Sequence, residues 1–335
     1  MKKLINVLLY SLLLVVVMAG MMGIRYFIVQ EEERVELETE KRLEAERNAA
    51  MEDAADNGGQ PENRYTVLVK QLPVYKNKKI VKIKADSGTE ILSYGDKINV
   101  LRESGSYAQI QTESGTTGYV WSDCIGMLSD KDKQANAQPE VVVIDVKKPE
   151  QGQETKEESF WQDAWVWSLN TAEKTEQKLE ENGYTAVVVN RAEKNAVSAA
   201  KSAELANQIK ADAVIHIYIR SSEYSADSES QPDSGAAVYC CTSDSSDPAA
   251  KYYTDSRKLG KYVLKYYTKT TGFDSAGILE SGGFPEIQRS KRPVILFQMG
   301  NLSNEEQNRK MSKAKFQSKM ARGITDGIDA YFRNQ

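Results

Sequence analysis

The pattern of apolar and polar positions changes character several times along this chain. Lys2 and Lys3 precede an uncharged run from Leu4 to Ile24, rich in Leu, Val and Met. At ~1.5 Å rise per residue such a run spans the ~30 Å hydrocarbon core of a bilayer. It predicts residues 1–30 as a cytoplasmic tip and a transmembrane anchor. A cleaved signal peptide is the alternative, with Val17-Met18-Ala19 as its processing site, but the apolar run continues through Met21, Met22 and Ile24. Lysines on the short flank predict a cytoplasmic N-terminus, so the expected protein is single-pass in the cell membrane with its bulk extracytoplasmic. Residues 31–62 are charged and Ala-rich, with Glu38 and Arg42 one helical turn apart. Val35, Leu37, Leu43 and Met51 are too sparse for a coiled-coil seam, so a solvated helical stalk is predicted, broken at Asn57-Gly58-Gly59-Gln60-Pro61.

From residue 63 to 128 the pattern alternates with period two in short runs. Tyr65–Val69, Ile80–Ile83, Glu90–Leu92, Ile98–Leu101 and Ala108–Ile110 are separated by turn clusters such as Ser87-Gly88 and Tyr94-Gly95-Asp96. A small all-β barrel or sandwich follows. Residues 129–140 are polar and aperiodic, a linker. From 141 to 335 apolar β-branched runs alternate with helical periodicity. Val141–Asp145, Thr185–Val189, Ala213–Ile219, Gly235–Tyr239 and Val294–Phe297 read as strands, while Trp161–Asn182, Ala196–Ile209 and Asn304–Tyr331 read as helices. That order implies an α/β domain with a mostly parallel twisted sheet flanked by helices.

Composition narrows the chemistry. The formal net charge is −4, from 44 basic and 48 acidic residues, and nothing in that balance suggests a nucleic-acid footprint, so nucleic acid is not an expected partner. There is one histidine, His216, and three cysteines, Cys124, Cys240 and Cys241, an inventory poor for metal chemistry. No CxxC pair is present, and an odd count leaves at least one thiol unpaired, with the state of Cys240 and Cys241 open.

The run Gly115-Thr116-Thr117-Gly118-Tyr119-Val120-Trp121 resembles the G-x-x-G-W-V close of bacterial SH3 domains, with Tyr119 in place of the usual tryptophan. The resemblance covers about sixty residues and implies a module that binds cell-wall peptides or serves as an appendage. Tyr107, Tyr119 and Trp121 either line a groove there or pack the module.

The segment from Val141 to Phe332 resembles N-acetylmuramoyl-L-alanine amidases, the zinc-dependent cell-wall hydrolases. Ile144-Asp145 matches the strand that opens that domain. Gly183-Tyr184 with Asn190-Arg191 matches G-Y-x-V-x-x-T-R, and Ala206-Asn207 through Ala211-Asp212 matches A-N-x-x-x-A-D. Pro293 to Asn304 matches P-A-V-L-V-E-x-G-F-L-S-N, and Met320 to Phe332 matches the closing helix.

The positions that carry the family's chemistry depart from it. By the resemblance, the zinc ligands fall at Lys148, Ala164 and Tyr218, and the general-base glutamate at Gln298. A carboxamide accepts no proton from a metal-bound water at ordinary pH. His216 stands two residues before Tyr218, on the same strand face and roughly 7 Å away. It offers an imidazole to a shifted metal only if Asp145, Asp163, Cys240 or Cys241 converge on it; otherwise it is a hydrogen-bonded or packed residue. Zinc, expected for the family, is not expected here. Lys148, Tyr218, Arg220 and Gln298, with His216, form the candidate groove, in which Lys148 fills the vacated cation position and Arg220 meets a stem-peptide carboxylate. The alternative is an inert, filled pocket.

Taken together, the expectation is a membrane-anchored, cell-wall-associated amidase-like protein, catalytically silent, that binds peptidoglycan or a cell-wall enzyme. An active amidase with relocated metal ligands and a purely structural envelope scaffold are the competing readings.

Overall fold

Residues 65–76, 90–104, 106–127, 138–147, 158–191, 196–220 and 235–335 are described by the computed structural model. The expected anchor and stalk, the strand at Ile80–Ile83, most of the linker, Lys148 and the polar segment 221–234 lie outside them. Among the described residues no helix is long and apolar enough to cross a membrane.

Among the described residues seven short strands build the first, all-β part: β1 (Tyr65–Val67), β2 (Gln71–Pro73), β3 (Ile91–Ser93), β4 (Lys97–Ser104), β5 (Tyr107–Thr112), β6 (Thr117–Trp121) and β7 (Ile125–Gly126). Five pair antiparallel in the order β6-β5-β4-β1-β7, and β2 pairs with β3. The alternation read from sequence is visible in β5, where Ala108, Ile110 and Thr112 are buried between half-buried neighbours. Gly118 has a steric reason. A Cβ there would stand 2.4 Å from Val74 Cγ1 and 2.9 Å from the Tyr75 carbonyl oxygen. Only glycine lets β6 approach the 74–75 backbone, where Tyr75 and Tyr119 exchange two backbone hydrogen bonds.

The second part holds a six-stranded sheet in the order β12-β11-β13-β10-β8-β9. Its strands are β8 (Val141–Val146), β9 (Thr185–Val189), β10 (Ala213–Arg220), β11 (Ala236–Cys240), β12 (Ser275–Glu280) and β13 (Val294–Asn301). β9, β8, β10 and β13 run parallel; β11 and β12 are parallel to each other but antiparallel to β13. Four of the five pairings are parallel, so the sheet is mostly parallel as expected, with one antiparallel junction between β11 and β13. β12 escaped sequence reading because its residues are exposed or half-buried and Gly277, at φ 90°, interrupts its pattern.

Among the described residues six α-helices accompany the sheet: α1 (Glu158–Glu181), α2 (Ala199–Gln208), α3 (Tyr253–Thr271), α4 (Pro285–Gln288), α5 (Glu305–Met311) and α6 (Ala314–Phe332). Gly183, at φ 89°, closes α1, with the Gly183 and Tyr184 amides donating back to the Glu180 and Leu179 carbonyls. The single closing helix expected from Asn304 is two helices. Lys313 is extended between them, and the buried Gln317 amide donates to the Met311 carbonyl at 2.9 Å. α3 and α6 touch through Gly323 and Gly327, where a Cβ would fall 2.7 Å from Tyr267 Cα and 2.5 Å from Val263 Cα. The rising number on one helix against the falling number on the other makes the pair antiparallel.

Residues 63–335 form one compact unit, and the two parts are joined by specific contacts. Lys70 pairs with Asp212, whose other oxygen accepts the Val141 amide at 2.8 Å. The Thr185 hydroxyl donates to the Leu68 carbonyl at 3.0 Å, and Arg191 Nε reaches Asp123 at 3.1 Å. Val67, Val69 and Leu72 share one apolar cluster with Val141, Leu205 and Ile209.

Candidate functional site

Strand alternation sorts the sheet into two faces. Val142, Ile144, Val146, Ile215, Ile217, Ile295 and Phe297 pack with α1, α3 and α6. The intervening residues point to the other face, where Asp145 and Lys147, His216, Tyr218 and Arg220, and Gln298 are presented by three neighbouring parallel strands. Register places His216 beside Asp145 and Tyr218 beside Gln298.

Asp145 sits in an otherwise apolar strand and is 2 % exposed. Its Oδ1 accepts from Asn190 Nδ2 at 2.7 Å, and its Oδ2 from His216 Nδ1 at 2.8 Å. A carboxylate only accepts, so Nδ1 carries the proton and the imidazole is oriented by it. Asn190 has φ 67° and ties its own side chain to both Asp145 and the Val197 backbone. The Asn-Arg match at 190–191 thus marks a structural support of the strand face. His216 Nε2 is buried and has no hydrogen-bond partner among the described residues.

Next along the face, the Tyr218 hydroxyl donates to Gln298 Oε1 at 3.2 Å. Burial, with Tyr239 close by, holds the Tyr218 phenol well above its ordinary range, so it stays protonated. Gln298 is fully buried and its Nε2 donates to the Gly235 carbonyl at 3.5 Å. Arg220 is also buried, past a register shift that sets it opposite Asn301, and its carbonyl accepts the Leu302 amide at 2.7 Å.

A second cation on this face is Lys147. Its Nζ stands 2.9 Å from Glu286 Oε1, 5.2 Å from the Phe284 ring centre and 5.8 Å from that of Tyr218. Phe284 in turn meets Tyr239 edge-on at 5.3 Å. Burial pushes the Glu286 carboxyl up, but Lys147 and His216 together pull it below its ordinary value. Glu286 is therefore an ionised, buried carboxylate with a cation beside it.

The structure brings together Tyr218, Gln298 and His216 of the expected groove. It sets Ala164 among the apolar residues of the opposite face, and Lys148 lies outside the described residues. Lys147, Glu286, Phe284 and Tyr239 were not singled out from sequence. Period-two alternation from Asp145 would have signalled Lys147. Glu286 sits on a one-turn helix behind Gly282-Gly283-Phe284-Pro285 and gave no signal.

A zinc ion needs three or four nitrogen, sulfur or carboxylate ligands. Tyr218 offers a protonated phenol, Gln298 a neutral amide and Ala164 a methyl group. Among the described residues no three His, Cys, Asp or Glu side chains are grouped to hold a metal. Burial, the largest cause for each, raises the thiols of Cys240, to about 11, and Cys241, away from the thiolate a metal would need. The Lys147 ammonium adds a like charge. The residues present do not fit the ion.

Residues 161–330 match the family model described as N-acetylmuramoyl-L-alanine amidase. Among curated proteins, the N-acetylmuramoyl-L-alanine amidase AmiC of an Escherichia coli O6:H1 strain is 37% identical over 78 residues, 23% of this chain and 18% of that protein. The chain thus spans about a fifth of the length of that relative. Among solved structures, an N-acetylmuramoyl-L-alanine amidase from Clostridium difficile 630 aligns with 21% identity and a TM-score of 0.49, covering 59% of this chain and 100% of that one. The catalytic domain of CwlV from Bacillus (Paenibacillus) polymyxa var. colistinus aligns with 24% identity and a TM-score of 0.47, over 58% and 99%.

Proposed function

This chain belongs to the N-acetylmuramoyl-L-alanine amidase family, and from that premise we propose that it acts at the cell wall by binding peptidoglycan or a cell-wall enzyme, without hydrolysing the substrate. The observation that carries the reading is the hydrogen bond from Tyr218 to Gln298. These are the positions where the resemblance puts a zinc histidine and the general base. Here they hold a phenol and an amide that satisfy each other. Those two positions then supply neither a metal ligand nor a general base for activating water. Beside them the Lys147–Glu286 ion pair and the Phe284 and Tyr239 rings form a polar, ring-lined wall against which a ligand can rest. In this reading residues 1–30 tether the protein in the membrane, and residues 65–127 form an SH3-like module on the outer side.

Incubating the full-length chain with purified sacculi tests this, with and without added zinc. The chain is expected to sediment with the sacculi or to retain an envelope enzyme, and to release no stem peptide. Stem-peptide release that a chelator abolishes overturns the silent site. Failure both to sediment and to retain an enzyme overturns the binding role.

A further inference from the structure

Helix α3 carries its charge almost entirely in one sign. Within Tyr253–Thr271 stand five basic side chains, Arg257, Lys258, Lys261, Lys265 and Lys269, against the single acid Asp255, in a chain whose net charge is −4. Arg257, Lys261, Lys265 and Lys269 follow one another at intervals of four residues, so they form successive like-charged neighbours along one face. Such spacing works against helix stability, and opposite signs at the same spacing are what a solvated helix ordinarily gains from. The helix dipole accounts only for Lys269, in the last turn. Arg257 is tied to Glu280, and Lys258 reaches the Asn334 carbonyl.

The neighbouring helix extends the field. α6 packs antiparallel against α3 through Gly323 and Gly327, and both cover the same sheet face, so their solvent sides turn the same way. There α6 exposes Lys315 and Lys319. Among the described residues none of Lys261, Lys265, Lys269, Lys315 or Lys319 has a carboxylate within ion-pair reach. Half-buried Tyr262 and Tyr266 lie between the lysines of α3, with Lys265 Nζ 5.8 Å from the Tyr266 ring centre.

We propose that the joined outer faces of α3 and α6 are a docking surface for an anionic lipid bilayer. A stripe from 257 to 269 is ~18 Å long at ~1.5 Å per residue, which spans several headgroups rather than one ligand. The cations are mostly lysines, compact point charges that answer a diffuse field, whereas arginine forks are suited to gripping single phosphates. Tyrosine among lysines is the pairing that sits well at headgroup depth. The inference uses none of the residues of the Tyr218–Gln298 face and stands apart from the function proposed for it.

Lysine footprinting of the full-length chain reads this directly, through acetylation of free amines quantified by mass spectrometry. Vesicles of phosphatidylcholine alone are compared with vesicles containing about 30 % phosphatidylglycerol, where each lysine near the surface gains from the negative potential. Labelling of Lys261, Lys265, Lys269, Lys315 and Lys319 is expected to fall several-fold only on the anionic vesicles. It should recover near about 0.5 M salt, where screening is short-ranged. Exposed Lys97, on the all-β part, serves as the internal control. Equal labelling on both vesicles, or a fall at Lys97 of the same size, overturns the proposal. So does protection by soluble polyphosphate with none by anionic vesicles, which would assign the surface to a phosphate polymer. The triple variant Lys261→Glu, Lys265→Glu, Lys269→Glu changes exposed positions only, and should abolish the lipid-dependent protection of Lys315 and Lys319.

Discussion

Lys147 Nζ and Glu286 Oε1 stand 2.9 Å apart, joining the end of β8 to the one-turn helix α4 across the polar face of the sheet. Glu286 is 2 % exposed, whereas the lysine side chain keeps 21 %. Removing the lysine strands a buried carboxylate, and breaking a buried pair this way costs about 3 kcal/mol or more. Lys147→Met is therefore expected to be strongly destabilising in denaturant unfolding. Lys147→Met with Glu286→Gln should recover most of the loss, because no charge is then left unpaired. The Glu286 carboxyl is held below its ordinary value, so its contribution is present above the ordinary carboxylate range and is lost as pH falls through the folded value. Glu286→Gln should flatten that acid limb. Equal stability of the lysine variant and the wild type would remove the pair as a structural feature.

A carboxylate placed at position 298 is expected not to confer hydrolysis. In Gln298→Glu the new acid stands at a fully buried site beside the Tyr218 hydroxyl and the Gly235 carbonyl. Burial favours its protonated form, so the variant loses stability as pH rises above the ordinary carboxylate value, by about 2 kcal/mol near neutrality. Stem-peptide release should stay absent with or without zinc, since no donor set for the ion is created. Zinc-dependent release by this variant would show that the site needs only its base.

Much of the fold was legible because its strands are buried on both faces. Val141–Val146, Thr185–Val189 and Val294–Asn301 are continuous buried runs whose apolar character has no other outlet. The junction between β11 and β13 was not legible, since a buried strand reads the same in either direction. The site was half legible. Tyr218 and Gln298 stand in apolar strands at positions where polar groups need partners, and register makes them each other's partner. Asp145 was read from the sequence only as the end of a strand and as a conditional metal ligand; the Asn190 and His216 that satisfy it come from 45 and 71 residues away. Glu286 carries no periodic signal, because one helical turn offers none.

The close approach at Gly118 can be tested with one methyl group. Gly118→Ala puts a Cβ 2.4 Å from Val74 Cγ1 and 2.9 Å from the Tyr75 carbonyl oxygen. A valine methyl can yield, but a paired backbone carbonyl cannot do so without loss of the Tyr75–Tyr119 bonds. Overpacking of this kind costs about 1–3 kcal/mol. Gly115→Ala differs: open space surrounds its Cβ, and the strain comes from φ +88° alone, a cost of about 1 kcal/mol. Thermal unfolding should therefore rank wild type, Gly115→Ala and Gly118→Ala in falling order. Reversal of the two variants would mean that β6 can slide away from the 74–75 backbone.

The contact between the two parts of the unit carries its own pH dependence. Arg191 reaches Asp123 on the all-β part at 3.1 Å and Glu173 on α1 at 3.7 Å, and also pairs with Glu176 on α1. One guanidinium thus serves three carboxylates, with Glu180 nearby adding a fourth negative charge. Burial is the main cause that lifts Glu176 from 4.5 to about 7; Arg191 opposes it, and Asp123 and Glu180 reinforce it. A carboxyl whose folded value is raised binds its proton more tightly when folded. Its stabilising contribution is complete below 4.5, falls as pH rises toward 7, and is gone above that. The full span amounts to about 3 kcal/mol at ~1.36 kcal/mol per unit, reduced by whatever solvent reaches the group. Glu176→Gln, neutral throughout, should erase the fall in unfolding midpoint across this window and leave the acid limb from Glu286 in place. A fall of unchanged steepness in that variant would assign the titration to another group.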